Sequence, residues 1–297
     1  MSATASAGSV APAVAPAEPV LVVENLRIHN DLDDTELVHG VGFRLPRGGV
    51  VGIVGESGSG KSLTCRAVLG LLPPLLEVSG GSVSLLGRDT AGFTPKEWTA
   101  LRGASIAAVF QDPASYLTPS VKVGKQLQQV LRVRGALNRA DARRRAIDLF
   151  DAVHLREPER VYEQYAHELS GGMLQRVLIA IAISLEPDVL IADEATTALD
   201  ATVQAEILDL LVELRERLGL ALVVVSHDLA VVAQLCDEVL VMRDGSVVEQ
   251  GPTSRILHDP QEEYTRLLVA EHEEFGLERY LGPTAPARSD AQEFDYV

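Results

Sequence analysis

Short, fully apolar runs recur along the chain, and segments of helical periodicity separate them. Val50–Val54 ends in a glycine-rich turn, after which residues 62–71 show the pattern of a helix. Later strands are predicted at residues 189–192, 221–225 and 238–242, and the helices between them at residues 203–218 and Leu229–Leu235. Because an unbroken apolar strand buries both of its faces, this alternation predicts a parallel sheet covered by helices on both sides.

Two regions depart from this pattern. Residues 20–23, 40–45 and 82–86 predict the strands of a small antiparallel sheet. Between residues 112 and 169 the apolar positions recur at helical spacing and strand patterns fade. We therefore expect a helical subdomain inserted into an α/β core, followed by one more helix that runs from Gly172 to about Ser184.

The composition limits the classes of protein to which this chain can belong. Hydrophobic residues make up 46% of 297 residues, which is ample for a buried core. The net charge of −16 lacks the basic footprint of a nucleic-acid-binding protein, so we expect no nucleic-acid partner. The densest basic run, residues 143–145, has a helical setting that is typical of a solvated face. Cys65 and Cys236 lie far apart in sequence, which indicates two reduced, buried thiols.

The domain organisation follows from the ends of the chain. We expect residues 1–18 to form a disordered Ala/Pro-rich tail, residues 19–270 a folded domain, and residues 271–297 an acidic tail. A membrane-spanning helix needs about 20 continuous apolar residues, whereas the longest apolar run is residues 177–183. We also expect no signal peptide, because prolines interrupt the apolar N-terminal residues.

The glycine-rich turn after Val50–Val54 fits the G-x-x-x-x-G-K-[ST] pattern of a phosphate-binding loop. Its residues are Gly55, Glu56, Ser57, Gly58, Ser59, Gly60, Lys61 and Ser62. Glycines allow backbone N–H groups to face phosphate oxygens, and the start of the next helix adds the positive end of a dipole. Lys61 would reach the β- and γ-phosphates, and Ser62 would bind Mg²⁺. The pattern predicts a P-loop NTPase, against the alternative of a glycine-rich turn without function.

A pair of carboxylates, Asp193 and Glu194, follows the apolar residues 189–192. A carboxylate at a strand end can hold Mg²⁺ through water, and a second one can polarise an attacking water. Without a phosphate loop, the same pair would be an ordinary acidic strand end. Together with Lys61 and Ser62, the pair predicts hydrolysis of ATP in the presence of Mg²⁺.

Residues 169–176 resemble the signature sequence of ABC-type ATPases. In that family the segment begins a helix whose N-terminus, with the serine hydroxyl, contacts the γ-phosphate of ATP held by the opposite subunit. The resemblance implies this role for Ser170, Gly171 and Gly172. The local alternative is a serine N-cap followed by a flexible glycine pair.

The same resemblance assigns further residues. Gln111 matches the glutamine that senses Mg²⁺ and the γ-phosphate, and His227 matches the histidine that holds Glu194 and the water in register. Leu63 stands where Ser or Thr is common, which implies an α-phosphate contact through the backbone alone. Residues 198–200 resemble the loop that crosses between subunits.

Other stretches resemble the peptide/nickel importer branch of the ABC family. They are residues 111–113, 117–119, 248–253 and 264–266. Residues 37–41, 61–65 and 171–176 are especially similar to nickel-import ATPase subunits. The resemblance therefore implies the ATP-hydrolysing motor subunit of an importer whose cargo is a peptide, nickel or a metal chelate.

This resemblance also implies partners and a location. The chain would dimerise with a copy of itself or a paralogous ATPase subunit, and would act on two transmembrane permease subunits. An extracytoplasmic solute-binding protein would take part indirectly. The chain would then be peripheral, on the cytoplasmic face of the cell membrane.

Three alternatives remain at this point: a soluble ABC ATPase that acts on nucleic acid or ribosomes, the motor subunit of an exporter, and a non-catalytic regulator. About 110 residues separate Lys61 from Ser170, without the sustained heptads of a coiled-coil insertion. The acidic balance also argues against nucleic acid. The presence of Glu194 and His227 argues against a non-catalytic regulator.

The residue that stacks on adenine in ABC ATPases is the main departure from the family pattern. Asn30, with His29 beside it, stands where an aromatic residue is usual. Because Asn30 cannot stack on a base, we predict weak discrimination between ATP and GTP in competition binding. A strong preference for ATP would contradict this prediction.

Overall fold

The computed structural model describes residues 18–196 and 199–273. The predicted N-terminal tail, apart from residue 18, lies outside the described residues. So do Ala198 in the predicted crossing loop and the predicted acidic tail beyond residue 273.

Within the described residues the chain forms ten strands, ten α-helices and two short 3-10 helices. The strands are β1 (Pro19–Asn30), β2 (Thr35–Pro46), β3 (Val50–Val54), β4 (Leu76–Leu85), β5 (Arg88–Asp89), β6 (Ile106–Val109), β7 (Val189–Asp193), β8 (Ala221–Ser226), β9 (Glu238–Arg243) and β10 (Ser246–Pro252). The helices are α1 (Lys61–Val68), α2 (Pro95–Leu101), α3 (Val123–Val133), α4 (Arg139–Ala152), α5 (Pro158–Tyr162), α6 (Gly171–Ala182), α7 (Ala201–Leu218), α8 (Leu229–Leu235), α9 (Thr253–His258) and α10 (Glu263–Glu273).

A six-stranded sheet in the order β10-β9-β3-β8-β7-β6 forms the centre of the fold. Strands β9, β3, β8, β7 and β6 are parallel, and β10 joins β9 antiparallel. Along β7, Val189 and Ile191 pack into one hydrophobic cluster while Leu190 and Ala192 pack into another. Both faces of the sheet are therefore buried, which confirms the α/β prediction and explains why these strands are apolar throughout.

The antiparallel sheet, in the order β2-β1-β4-β5, covers one face of the parallel sheet. Its first strand is longer than the predicted residues 20–23. Asn25, at φ 49°, lies where the register of β1 shifts between Val23 and Leu26. Asparagine tolerates this left-handed conformation, so the strand continues through a bulge at this point. The sequence analysis ended the strand too early because Glu24 and Asn25 are polar.

Helices α3, α4 and α5 lie between β6 and α6 and form the predicted helical insertion. Phe150 and Tyr162 are fully buried there. The Tyr162 hydroxyl donates a hydrogen bond of 2.8 Å to Oε1 of Gln128. Because a buried hydroxyl requires a partner, this bond fixes α5 against α3.

The elements β5, α2, α9 and α10 were not predicted. Three further differences from the sequence-based expectation have a local explanation. Helix α1 ends at Val68 instead of residue 71, because Gly70 has φ 62° and terminates it. Strand β6 was not predicted, since its four apolar residues carry no periodicity. Strand β10 was not predicted because it is an edge strand of mixed polarity.

Helix α7 has 18 residues and carries Arg215 and Arg217 in its last turn. A helix that crosses a bilayer must be both long and predominantly apolar. None of the helices formed by residues 18–196 and 199–273 meets both conditions.

The contact between α3 and α5 generates a prediction about stability. A Cβ atom on Gly124 would lie 2.2 Å from the Tyr162 ring and 2.6 Å from its carbonyl oxygen. Alanine normally stabilises a helix interior by about 0.5–1 kcal/mol relative to glycine, but overpacking costs about 1–3 kcal/mol. We therefore expect Gly124→Ala to lower the free energy of unfolding, measured by urea denaturation.

Gln129→Ala provides the control, because Gln129 is exposed on the same helix. Its effect on the free energy of unfolding is expected to stay within about 0.5 kcal/mol. A Gly124→Ala chain at least as stable as the unaltered one would contradict the tight α3–α5 contact.

Candidate functional site

The phosphate loop, residues 55–62, connects β3 to α1 at the carboxyl edge of the parallel sheet. Gly55, Gly58 and Gly60 adopt φ values of 145°, 86° and 98°. A Cβ atom on Gly55 would lie 2.1 Å from the carbonyl oxygen of Met242 in β9. Glycine is therefore required at position 55 by the backbone conformation and by the close approach of a neighbouring strand.

Lys61 begins α1 and is only 4% exposed. Its ammonium donates hydrogen bonds of 2.7 Å to each of the Gly55 and Glu56 carbonyl oxygens. Burial lowers the pKa of Lys61, and the carboxylates of Glu194 and Asp193 oppose that change. The Lys61 ammonium therefore lies within the loop, hydrogen-bonded to backbone carbonyls and close to acidic side chains.

A side-chain hydrogen bond joins the phosphate loop to the end of β7. Oγ of Ser62 donates to Oδ1 of Asp193 over 2.9 Å. Asp193 is 5% exposed, and burial raises the pKa of its carboxyl. The Ser62 bond acts in the opposite direction, while the Glu194 carboxylate raises this pKa further.

Glu194 follows β7 in a left-handed conformation with φ 50°. Its backbone N–H donates to the Val225 carbonyl of β8 over 3.0 Å, which holds the residue in place. Oε1 of Glu194 lies 3.9 Å from Nδ1 of His227, which follows β8. A non-glycine residue in this region of φ is strained, and this strain lies beside the phosphate loop.

A cavity of about 480 Å³ opens between the phosphate loop and the ends of β6 and β7. Its volume is in the range of small-molecule sites. Among the predicted site residues, those that line it are Ser57, Gly58, Gly60, Lys61, Ser62, Leu63, Gln111, Asp193 and Glu194. The structure thus brings together most of the predicted site from three separate parts of the chain.

Other predicted residues do not line this cavity. Gly55 and Ser59 are buried at the base of the loop, and the Ser59 hydroxyl has no hydrogen-bond partner within the described residues. Glu56 is exposed beside the loop, and about half of the His227 side chain is exposed behind Glu194.

The predicted signature residues also lie outside the cavity lining. Oγ of Ser170 accepts a hydrogen bond of 3.3 Å from the Met173 N–H and caps α6, while Ser170 and Gly171 remain exposed. A Cβ atom on Gly172 would lie 2.5 Å from Cγ1 of Val203 in α7. Gly172 therefore has a packing role in this chain, and residues 170–172 do not line the chain's own phosphate-loop cavity.

The structure adds lining residues that the sequence analysis missed. Tyr116 stacks on Phe110 with ring centroids 5.2 Å apart, and Arg66 also lines the cavity. Arg66 could have been found from its position four residues after Ser62 on a helix, since that spacing repeats one face. Tyr116 carried no such signal, because a short 3-10 helix, Pro113–Tyr116, brings it back to Phe110.

Asn30, at the expected adenine position, is engaged locally. Its side-chain oxygen accepts a hydrogen bond of 3.1 Å from the Leu32 N–H in the β1–β2 turn. Nε2 of the neighbouring His29 lies 3.1 Å from Oδ1 of Asp34. Neither residue lines the cavity, so the expectation about base stacking remains a prediction.

Comparison with known sequences identifies a family. A family model described as ABC transporter matches residues 38–197. The dipeptide transport ATP-binding protein DppD of Escherichia coli K12 is 41% identical over 262 residues, which are 88% of this chain and 80% of that protein. The protein of the same name from Lactococcus lactis MG1363 is 41% identical over 251 residues, 84% of this chain and 72% of that protein.

Solved structures agree with this similarity. The cbiO1 protein from Clostridium perfringens, part of the ABC transporter complex cbiONQ, has a TM-score of 0.72 at 29% identity, over 88% of this chain and 97% of that one. The dimeric ATP-binding cassette MJ0796, bound to ADP and phosphate, has a TM-score of 0.69 at 28% identity, over 78% of this chain and 98% of that one. The chain therefore belongs to the ABC transporter family, as an ATP-binding subunit with ATP hydrolase activity.

Proposed function

We propose that this chain is the motor subunit of a peptide importer and couples ATP hydrolysis to uptake. The observation that carries the proposal is the cavity that the phosphate loop shares with Gln111, Asp193 and Glu194. The two relatives named for dipeptide transport support a peptide cargo. Nickel, which the sequence resemblance also suggested, has no counterpart in the names of these relatives.

ATP would lie in the cavity with its phosphates on the loop. The loop's backbone N–H groups and the N-terminus of α1 favour an anion there. The Lys61 ammonium would leave the Gly55 and Glu56 carbonyls, on which it now rests at 2.7 Å, and donate to the phosphates. Leu63 would add only its backbone N–H, since its side chain has no donor.

We assign Mg²⁺ to Ser62, Gln111 and Asp193. A hydroxyl, an amide and a carboxylate provide the oxygen atoms that this cation prefers. The Ser62 and Asp193 oxygens lie 2.9 Å apart, which supports the proposal that both would bind the same Mg²⁺ ion. When bound, Mg²⁺ would supply positive charge to the phosphates during the transfer.

Glu194, His227 and Gln111 would carry out the hydrolytic step. The Glu194 carboxylate would accept the proton of the attacking water. His227, 3.9 Å away, would keep this carboxylate oriented. Gln111 lines the cavity just beyond the end of β6 and would contact Mg²⁺ and the γ-phosphate when both are bound.

The signature residues Ser170, Gly171 and Gly172 would act on a second subunit's ATP. They lie outside the lining of their own cavity, and the exposed N-terminus of α6 favours an anion. Two chains would therefore close head-to-tail over two ATP molecules, each chain supplying half of each site. The mate is a copy of this chain or a paralogous subunit.

The partners follow from this role. Two transmembrane permease subunits would transmit the closure of the ATPase pair, and a solute-binding protein outside the membrane would deliver the cargo. The chain would act as a peripheral protein on the cytoplasmic face of the cell membrane. Relatives named for peptide transport favour this function over an exporter or an ATPase acting on nucleic acid.

Glu194→Gln tests the assigned base. The amide cannot accept the water proton, so we expect ATP turnover to fall about 100-fold or more. Binding of MgATP is expected to persist, and the variant is expected to accumulate as a dimer. Phosphate release, nucleotide binding and size-exclusion chromatography measure these three properties.

Glu216→Gln is the matched control, because it makes the same chemical change on the exposed side of α7. Its turnover is expected to equal that of the unaltered chain. Normal turnover in Glu194→Gln would refute the assignment of Glu194 as the base.

A pair of substitutions at Ser170 tests the shared site. Aspartate and asparagine both cap a helix as well as serine does, so Ser170→Asp and Ser170→Asn should fold alike. Only aspartate places a negative charge against the partner's γ-phosphate. We expect turnover and ATP-dependent dimer formation to fall much further in Ser170→Asp than in Ser170→Asn.

Binding of ATP to the separate chains distinguishes this outcome from damage to the chain's own cavity. Under dilute conditions the affinity for ATP is expected to be the same in both variants and in the unaltered chain. Equal turnover in the two variants, or a loss of affinity in the dilute Ser170→Asp chain, would contradict the head-to-tail arrangement.

A further inference from the structure

Elements that follow β8 in the chain contact the backbone of the phosphate loop. The loop approaches the turn between β9 and β10, where the Gly245 N–H donates to the Ser59 carbonyl over 3.2 Å. The Met242 carbonyl lies directly against Gly55. These contacts connect the loop to residues that lie far beyond it in sequence and were not among the predicted ATP-site residues.

Tyr264 in α10 makes the most specific of these contacts. Its hydroxyl accepts a hydrogen bond of 3.1 Å from the backbone N–H of Glu56, across 208 positions of sequence. Tyr264 is 9% exposed. The guanidinium carbon of Arg243 lies over the Tyr264 ring, 4.9 Å from its centroid. The phenol is therefore held between β9 and the first residues of the phosphate loop.

Helix α10 is itself anchored to the sheet. Glu249 of β10 is 6% exposed, and its carboxylate accepts hydrogen bonds from the N–H groups of Gln261, at 2.9 Å, and Glu262, at 3.1 Å. These donors precede α10 directly, so a buried anion caps the start of this helix. Tyr264 follows within the first turn and is thereby fixed in position relative to β10.

Glu56 is thus held through both of its backbone groups. Its N–H is bound by Tyr264, and its carbonyl is bound by the Lys61 ammonium at 2.7 Å. When Lys61 turns to the phosphates, the Glu56 carbonyl loses this donor and retains the Ser59 N–H, 3.2 Å away within the loop itself. The Tyr264 hydroxyl then remains as the hydrogen bond that ties the Glu56 backbone to a distant part of the fold.

We propose that Tyr264 is a positioning residue that holds the start of the phosphate loop in the conformation that receives ATP. This inference rests on the proposed role of the loop in nucleotide binding. It makes the C-terminal helix, which touches no nucleotide, a determinant of ATP affinity. The hydroxyl acts through the Glu56 backbone, and its effect is on binding, not on the chemical step.

Tyr264→Phe removes the acceptor and keeps the ring beneath Arg243. A single hydrogen bond of this kind contributes about 0.5–1.5 kcal/mol, so we expect the Kd for ATP to rise between about 2-fold and 10-fold. Turnover at saturating ATP is expected to stay unchanged, and KM to rise with Kd. Titration of the full chain with a fluorescent ATP analogue and steady-state phosphate release measure both.

Tyr162→Phe is the matched control. It deletes another buried hydroxyl, the one that donates to Gln128 in the helical insertion, far in sequence from the phosphate loop. This variant is expected to lower the melting temperature and to leave the Kd for ATP unchanged. An equal rise of Kd in both variants, or no rise in Tyr264→Phe, would overturn the inference.

The outcomes also separate this inference from the proposed function. If the unaltered chain binds no ATP, the proposed function fails. If it binds ATP and the Tyr264→Phe chain binds equally well, only the positioning role fails.

Hydrogen exchange gives a reading that does not depend on the folding of a variant. In the unaltered chain the Glu56 amide is expected to exchange much more slowly than the exposed Ser57 amide, because only the former is bound by Tyr264. In Tyr264→Phe this protection is expected to disappear selectively. Equally fast exchange of the two amides in the unaltered chain would overturn the proposal.

Discussion

Burial of the Lys61 ammonium is the constraint around which the site is arranged. Removing a cation from water is costly unless partners replace the lost hydration. Here the partners are two carbonyl oxygens of the phosphate loop and the nearby carboxylates of Asp193 and Glu194. The loop can hold this conformation only with glycine at position 55, where the Met242 carbonyl leaves no room for a side chain. The need to compensate the charge of Lys61 thus links the ends of three strands, β3, β7 and β9.

The same arrangement prepares the site for an anion. The phosphates of ATP would replace the carbonyl partners of Lys61 without returning the cation to water. The carboxylates of Asp193 and Glu194 would oppose such an anion, which explains why a cation should accompany it. At the signature helix the situation is reversed, because Ser170 and its neighbours offer N–H groups that their own cavity does not use. Under the proposed head-to-tail pairing, each chain would supply the N–H groups that complete the ATP site of the other.

The order of strands in the parallel sheet explains why residues far beyond the phosphate loop in sequence pack against it. Strand β3, which leads into the phosphate loop, pairs with β8 on one side and with β9 on the other. The turn after β9 and helix α10 consequently pack against the loop. Met242, Gly245 and Tyr264 each contact its backbone there, so the loop packs against elements that lie far beyond it in sequence.

Much of this site could be read from the sequence, because its signals are local. Unbroken apolar runs revealed β3, β7, β8 and β9, and glycine spacing revealed the phosphate loop, since backbone conformation and burial act over a few residues. Tertiary structure alone decided which distant residues meet. Strand β6 is too short to carry a pattern, Gly172 is required by Val203 of another helix, and the bond from Glu56 to Tyr264 joins positions 208 apart. Such contacts depend on the order in which strands pair, which no local pattern of residues encodes.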